Sequence, residues 1–169
     1  TLTKLKASNP EVIFIPAYYE EVGKIVKQAR ELGINAKLLG ADGWDDSKLV
    51  DIAGAQPLNG TYFCSHYSEQ DNDANVKDFI AAYKAEYGEE PNVFAALGYD
   101  AGKMLVDAIK RAGSDDPEKI RQALAETKNL QVGTGIITMD ANHDPIKSAV
   151  VLEMKDGQKI FKQKINPNK

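Results

Sequence analysis

At 169 residues, with 43% hydrophobic and 27% charged residues, the chain is long enough to bury a sizeable core, as one domain or as pieces of two. A net charge of -4 with a pI near 5.3 supplies no basic field, so nucleic acid and anionic membrane surfaces are not expected partners. A single cysteine, Cys64, excludes an internal disulfide and a multi-cysteine zinc site.

In chain order, Leu2 to Ala7 reads as the tail of a helix that stops before Ser8-Asn9-Pro10, so the chain is expected to begin mid-helix. Glu11 to Ile15 is a short apolar run with a β-branched bias, the pattern of a parallel strand covered on both faces. Such runs are far too short to cross a bilayer, and no basic-then-apolar signal segment opens the chain, so a soluble protein without direct membrane insertion is expected. From Tyr19 to Leu32 the residues Val22, Ile25, Val26, Ala29 and Leu32 fall at helical spacing, with Gly33 as the cap. Ala36 to Gly40 completes a β-α-β unit with parallel strands.

A short helix is expected over Ser47 to Ala53, ended by Gly54, and a strand over Gly60 to His66. Ser68 to Asn75 is a polar, acidic loop; Ala74 to Tyr87 is a helix closed by Gly88 and Pro91. A long helix follows from Val93 to Ala112, its buried stripe expected at Leu97, Ala101, Met104, Leu105, Ala108 and Ile109. Ser114 opens a further helix that runs to about Glu126. Gly133 to Ile137, Ser148 to Met154 and Lys159 to Ile165 are strand-like, with Asp156-Gly157 as a hairpin turn between the last two.

Alternating strands and helices argue for an α/β fold, in which ligands bind beyond the C-terminal ends of the strands. That rule selects Tyr18 and Tyr19 after the first strand and Asp42 to Trp44 after the second, two positions that should be neighbours. Aspartate accepts hydrogen bonds from an ammonium, tyrosine hydroxyls bind a carboxylate or carbonyl, and Trp44 offers a shield or a face to a cation. The plainer reading has the tyrosines and Trp44 packing over the sheet edge and Asp42 capping the next helix.

Other chemistry is sparse. Asp71-Asn72-Asp73-Ala74-Asn75 starts like a calcium loop, but its sixth position is Val76 and its twelfth Ala82, so it reads as a solvated acidic loop and no metal or cofactor is expected. Cys64 and His66 share a strand face without an evident third residue to orient them, and read as a packed thiol and a surface histidine. His143 reads as solvent-exposed in a polar turn, and Glu20, Glu21, Asp45 and Asp46 as first-turn helix acids.

The ordered set V-I-F-I-P-A-Y-Y, L-L-G-A-D-G-W, G-Y-D-A-G-K-M-L and G-I-I-T-M-D-A-N-H-D-P-I-K-S-A resembles the C-terminal half of the leucine/isoleucine/valine-type periplasmic binding proteins. The resemblance implies a type I periplasmic-binding-protein fold of two three-layer αβα lobes, of which about half lies in this chain. Residues 1-64 would belong to the second lobe, 65-147 to the first, and 148-169 to the second again. It implies non-catalytic binding of a small aliphatic amino acid in an interlobe cleft, with hinge closure, for delivery to an ABC transporter permease. Tyr18 matches a tyrosine at the ligand, Asp42 the acid that pairs with the ligand ammonium, and Phe94 an aromatic on the first-lobe side. Asp42 is shorter than the glutamate of some members, and a glycine stands near position 143 where this chain has His143. The serine and threonine that bind the ligand carboxylate have no counterpart, so a complementary N-terminal half is expected as a second chain, the present one being a split, cut or engineered version. A periplasmic or extracellular location follows, lipid-anchored in some bacteria. A ligand-sensing regulatory domain of the same fold, and an α/β hydrolase using Cys64 and His66, are the alternatives.

Overall fold

The computed structural model describes residues 1–167 and divides the chain into two units, Thr1–Gln70 with Val150–Lys164, and Asp71–Ala149 with Ile165 onward. The boundaries fall a few residues after the 64/65 and 147/148 divisions expected from the resemblance.

Unit 1 opens with α1 (Leu2–Ser8), ended by Asn9 in the left-handed conformation. Then come β1 (Val12–Ile15), α2 (Tyr19–Glu31), β2 (Lys37–Gly40), a 3-10 turn (Asp42–Trp44), α3 (Lys48–Ala53), α4 (Ala55–Leu58) and β3 (Tyr62–Ser65). The chain returns through β7 (Ala149–Lys155) and β8 (Gln158–Ile165). Among the described residues these strands form a sheet in the order β1-β2-β3-β7-β8. β1, β2 and β3 run parallel, with Ile15 beside Gly40 and Gly40 beside Phe63, and β7 joins β3 antiparallel. The β-α-β reading of residues 11 to 40 is thus correct. Asp156 and Gly157, both at positive φ, make the expected hairpin turn between β7 and β8.

The core of unit 1 gathers Ile15, Val22, Val26, Leu38, Trp44, Leu49, Leu58, Phe63, Val150, Leu152 and Met154. α2 packs on α3 and α4 over one face, as its Val22, Val26 and Ala29 spacing dictates. β1 departs from expectation: Ile13 and Ile15 turn toward core clusters, but Val12 and Phe14 are 49% and 59% exposed. It is an edge strand with one bare face, so its continuous apolar run does not signify cover on both sides.

Gly40, at the end of β2, is required by packing. A Cβ there would stand 2.2 to 2.4 Å from the Trp44 indole, which lies against the strand. Gly40→Ala is therefore expected to lower unfolding free energy by about 1 to 3 kcal/mol, measured by denaturant titration.

Unit 2 contains α5 (Ala74–Tyr87), α6 (Val93–Ala112) and α7 (Pro117–Ala125), followed by β4 (Leu130–Val132), β5 (Gly135–Met139) and β6 (Pro145–Ile146), which form a small antiparallel sheet. The helix ends follow from side chains that replace missing backbone partners. Asp73, Asn92 and Asp116 accept from the first-turn amides of the three helices, and Gly88 and Gly113 close α5 and α6 in the left-handed conformation. Asp116, not Ser114, caps α7; the Ser114 hydroxyl instead accepts from the Asp116 amide.

The stripe expected on α6 is only partly right. Ala108 is buried, but Ala101, Leu105 and Ile109 are exposed, and the buried line is Val93, Ala96, Asp100 and Ala108. α6 is apolar on more than one face, and α7 with β4 cover one of them. Leu105, Val106 and Ile109 stay exposed on the rest.

Candidate functional site

Tyr18 and Asp42 stand at the C-terminal ends of adjacent parallel strands. Tyr18 is the N-cap residue of α2, and Asp42 opens the 3-10 turn after β2. The two loops touch: a Cβ on Gly43 would fall 3.0 Å from the Ala17 carbonyl oxygen and 3.0 Å from a Tyr18 ring carbon. Beneath them Trp44 donates its indole N–H to the Ile15 carbonyl at 3.0 Å, tying the turn to the end of β1. Tyr18 is 63% exposed and the Asp42 side chain 48%, so both side chains reach solvent from these two adjoining loops. Tyr19 is half-buried against the core, and Trp44 is wholly buried within it. Trp44 is thus a floor beneath the loops rather than an exposed surface.

His66 follows β3, the strand next to β2, and its Nε2 lies 3.1 Å from Asp42 Oδ2. This contact was not read from the sequence, where His66 stood as a surface residue and Asp42 as a helix cap or ligand acid. The Cys64 thiol is exposed rather than packed and donates to the Gly40 carbonyl at 3.6 Å. Among the described residues no hydrogen bond joins Cys64 to His66, so the hydrolase alternative finds its histidine oriented by Asp42 but lacks the thiol–imidazole link that activates a nucleophile.

A second polar group holds the margin of unit 1. Asp45, expected as a first-turn helix acid, instead lies buried at the end of the 3-10 turn; it accepts from the Ser65 hydroxyl and pairs with Lys159 Nζ at 2.9 Å. Burial works against the Lys159 charge, but Asp45 and then Glu69 outweigh it and raise its pKa above the ordinary lysine value. The Gln70 amide both donates to the Lys159 carbonyl and accepts from the Phe161 N–H, stitching this segment to β8. Asp46 lies just ahead of the first turn expected for it, before the Ser47 N-cap, and accepts from the Lys48 amide at the start of α3.

In unit 2, Phe94 lies in the first turn of α6 and is partly exposed. Asp100 is buried in that helix and accepts from the amides of Gly133 and Thr134 and from the Thr134 hydroxyl, which in turn accepts from Lys147. Burial pushes the Lys147 pKa down, opposed by Asp100. The sequence signal was present, since Asp100 falls seven residues after Val93 on the buried line. Asp71 and Asp73 accept from the Asp73 and Asn75 amides, as a capping loop does. His143 is exposed at φ 68, a left-handed conformation that favours glycine.

The fold is of the periplasmic binding protein type: a parallel-rich α/β unit with Tyr18 and Asp42 at its strand ends, joined to a second unit. The chain belongs to the periplasmic binding protein family, whose sequence model matches residues 1–159. It is 28% identical over 143 residues to the leucine-, isoleucine-, valine-, threonine- and alanine-binding protein of Pseudomonas aeruginosa, covering 85% of this chain and 38% of that one. It is similar in structure to the leucine binding protein LivK of Thermotoga maritima, with TM-score 0.90 and 42% identity over 98% of this chain and 47% of the other. The branched-chain amino-acid transporter substrate-binding protein LivJ of Streptococcus pneumoniae, solved with isoleucine, superimposes with TM-score 0.86 and 37% identity over 98% of this chain and 47% of that one. The chain therefore spans roughly two fifths to one half of the length of these relatives. Among the described residues no helix is long and apolar enough to cross a membrane.

Proposed function

We propose that this chain supplies one wall of a binding site for a small aliphatic amino acid, in a non-catalytic substrate-binding protein of an ABC transporter working outside the cytoplasm. The observation that carries the reading is the outward-facing pair of Tyr18 and Asp42 on two loops packed against each other at the strand ends. Asp42 accepts the ligand ammonium, Tyr18 donates to its polar end, Tyr19 and the buried Trp44 support the wall, and Phe94 contributes from unit 2. A complementary half completes the site and the fold. The bare face of β1 and the uncovered apolar side of α6 support this, as does the length of the relatives. The chain passes between the units after Gln70, at the start of β7 and at the end of β8, and these crossings are where the two lobes hinge on the ligand.

In the reconstituted protein, Tyr18→Phe should weaken amino-acid binding by about 1 kcal/mol, the loss of one neutral hydrogen bond. Titration calorimetry checks this; an unchanged dissociation constant removes Tyr18 from the site.

A further inference from the structure

We propose that His66 is a positioning residue for Asp42: its ring N–H holds one carboxylate oxygen so that the other is presented to the ammonium of the bound amino acid. This rests on the Asp42 assignment above. His66 Nε2 lies 3.1 Å from Asp42 Oδ2, while Oδ1 has no hydrogen-bond partner among the described residues. A carboxylate offers acceptors only, so at that distance Nε2 carries the hydrogen and His66 is the donor. The backbone that carries the imidazole is well anchored. Ser65 before it is buried, paired with Val150 in the sheet and bonded to Asp45, and Tyr67 after it is buried as well.

The pair serves the fold little. Its side chains are 31% and 48% exposed, and ion pairs so open to water contribute almost nothing to stability. What the bond does is freeze the Asp42 rotor before the ligand arrives, which removes an ordering cost that binding would otherwise meet.

The test is calorimetric titration of leucine into the protein reconstituted from this chain and its complementary half, for wild type, His66→Ala, His66→Gln, Asp42→Asn and the double variant Asp42→Asn/His66→Ala. His66→Ala should weaken binding roughly two- to twelvefold, the range for ordering one side chain, with its thermal midpoint unchanged. His66→Gln, which keeps an N–H donor, should recover most of that loss. In the Asp42→Asn background His66→Ala should have no further effect. The imidazole nitrogen shifts of the neutral ring should report the Nε2–H tautomer. If His66→Ala leaves affinity intact while Asp42→Asn lowers it, the positioning role is wrong and the Asp42 assignment stands. Equal loss from His66→Ala in both backgrounds, or an Nδ1–H tautomer, also overturns the positioning role. If Asp42→Asn changes nothing, the Asp42 assignment itself fails and this inference with it.

Discussion

Truncating Trp44 to alanine is expected to cost about 3 to 5 kcal/mol of unfolding free energy, the range for removing a fully buried large aromatic. The side chain is wholly buried, packs 6.1 Å from the Phe63 ring between centroids, and is the donor to the Ile15 carbonyl. Its loss opens a cavity at the sheet's C-terminal end and removes one of two donors to that carbonyl, which keeps the Ala17 N–H at 3.0 Å. Because the indole fills the space a Cβ on Gly40 would need, the two changes are coupled. Gly40→Ala should be nearly harmless once Trp44 is alanine, and a double-mutant cycle by denaturant unfolding measures that coupling. Additive losses would show that the indole does not press on Gly40.

The second large effect is on binding. If Asp42 pairs with the ligand ammonium, Asp42→Ala should weaken amino-acid affinity by about 2 to 5 kcal/mol, as for truncating one side of a desolvated charge pair. The carboxylate is half exposed in unit 1, so the same change should hardly affect unfolding, and the variant separates binding from folding. Calorimetry on the reconstituted protein reads the affinity and thermal melting reads the fold. A variant that binds leucine as wild type does would remove Asp42 from the site.

What was legible in the sequence was local. α5 and α6 match their expected bounds because aspartate, asparagine and glycine mark helix ends through hydrogen bonds within one turn. The contact between the Tyr18 and Asp42 loops was also foreseeable, because parallel strands of a β-α-β unit bring their C-terminal ends together. The short elements α4, β4 and β6 were missed; with two to four residues each, they have no period to read. Asp45 was misjudged because its partner Lys159 lies 114 positions away, and no local pattern records such a pair. His66 was missed for a related reason: only strand order brings it beside Asp42. The α6 stripe failed because apolar residues ring much of that helix, and composition does not say which side the rest of the protein covers.

Calorimetric titration of leucine, isoleucine, valine, threonine and alanine into the protein reconstituted from this chain and its complementary half tests the central claim most directly. Micromolar or tighter binding of at least one of them is expected, with the ligand recovered unchanged. No binding of any, or conversion of the ligand that Cys64→Ala abolishes, would contradict it.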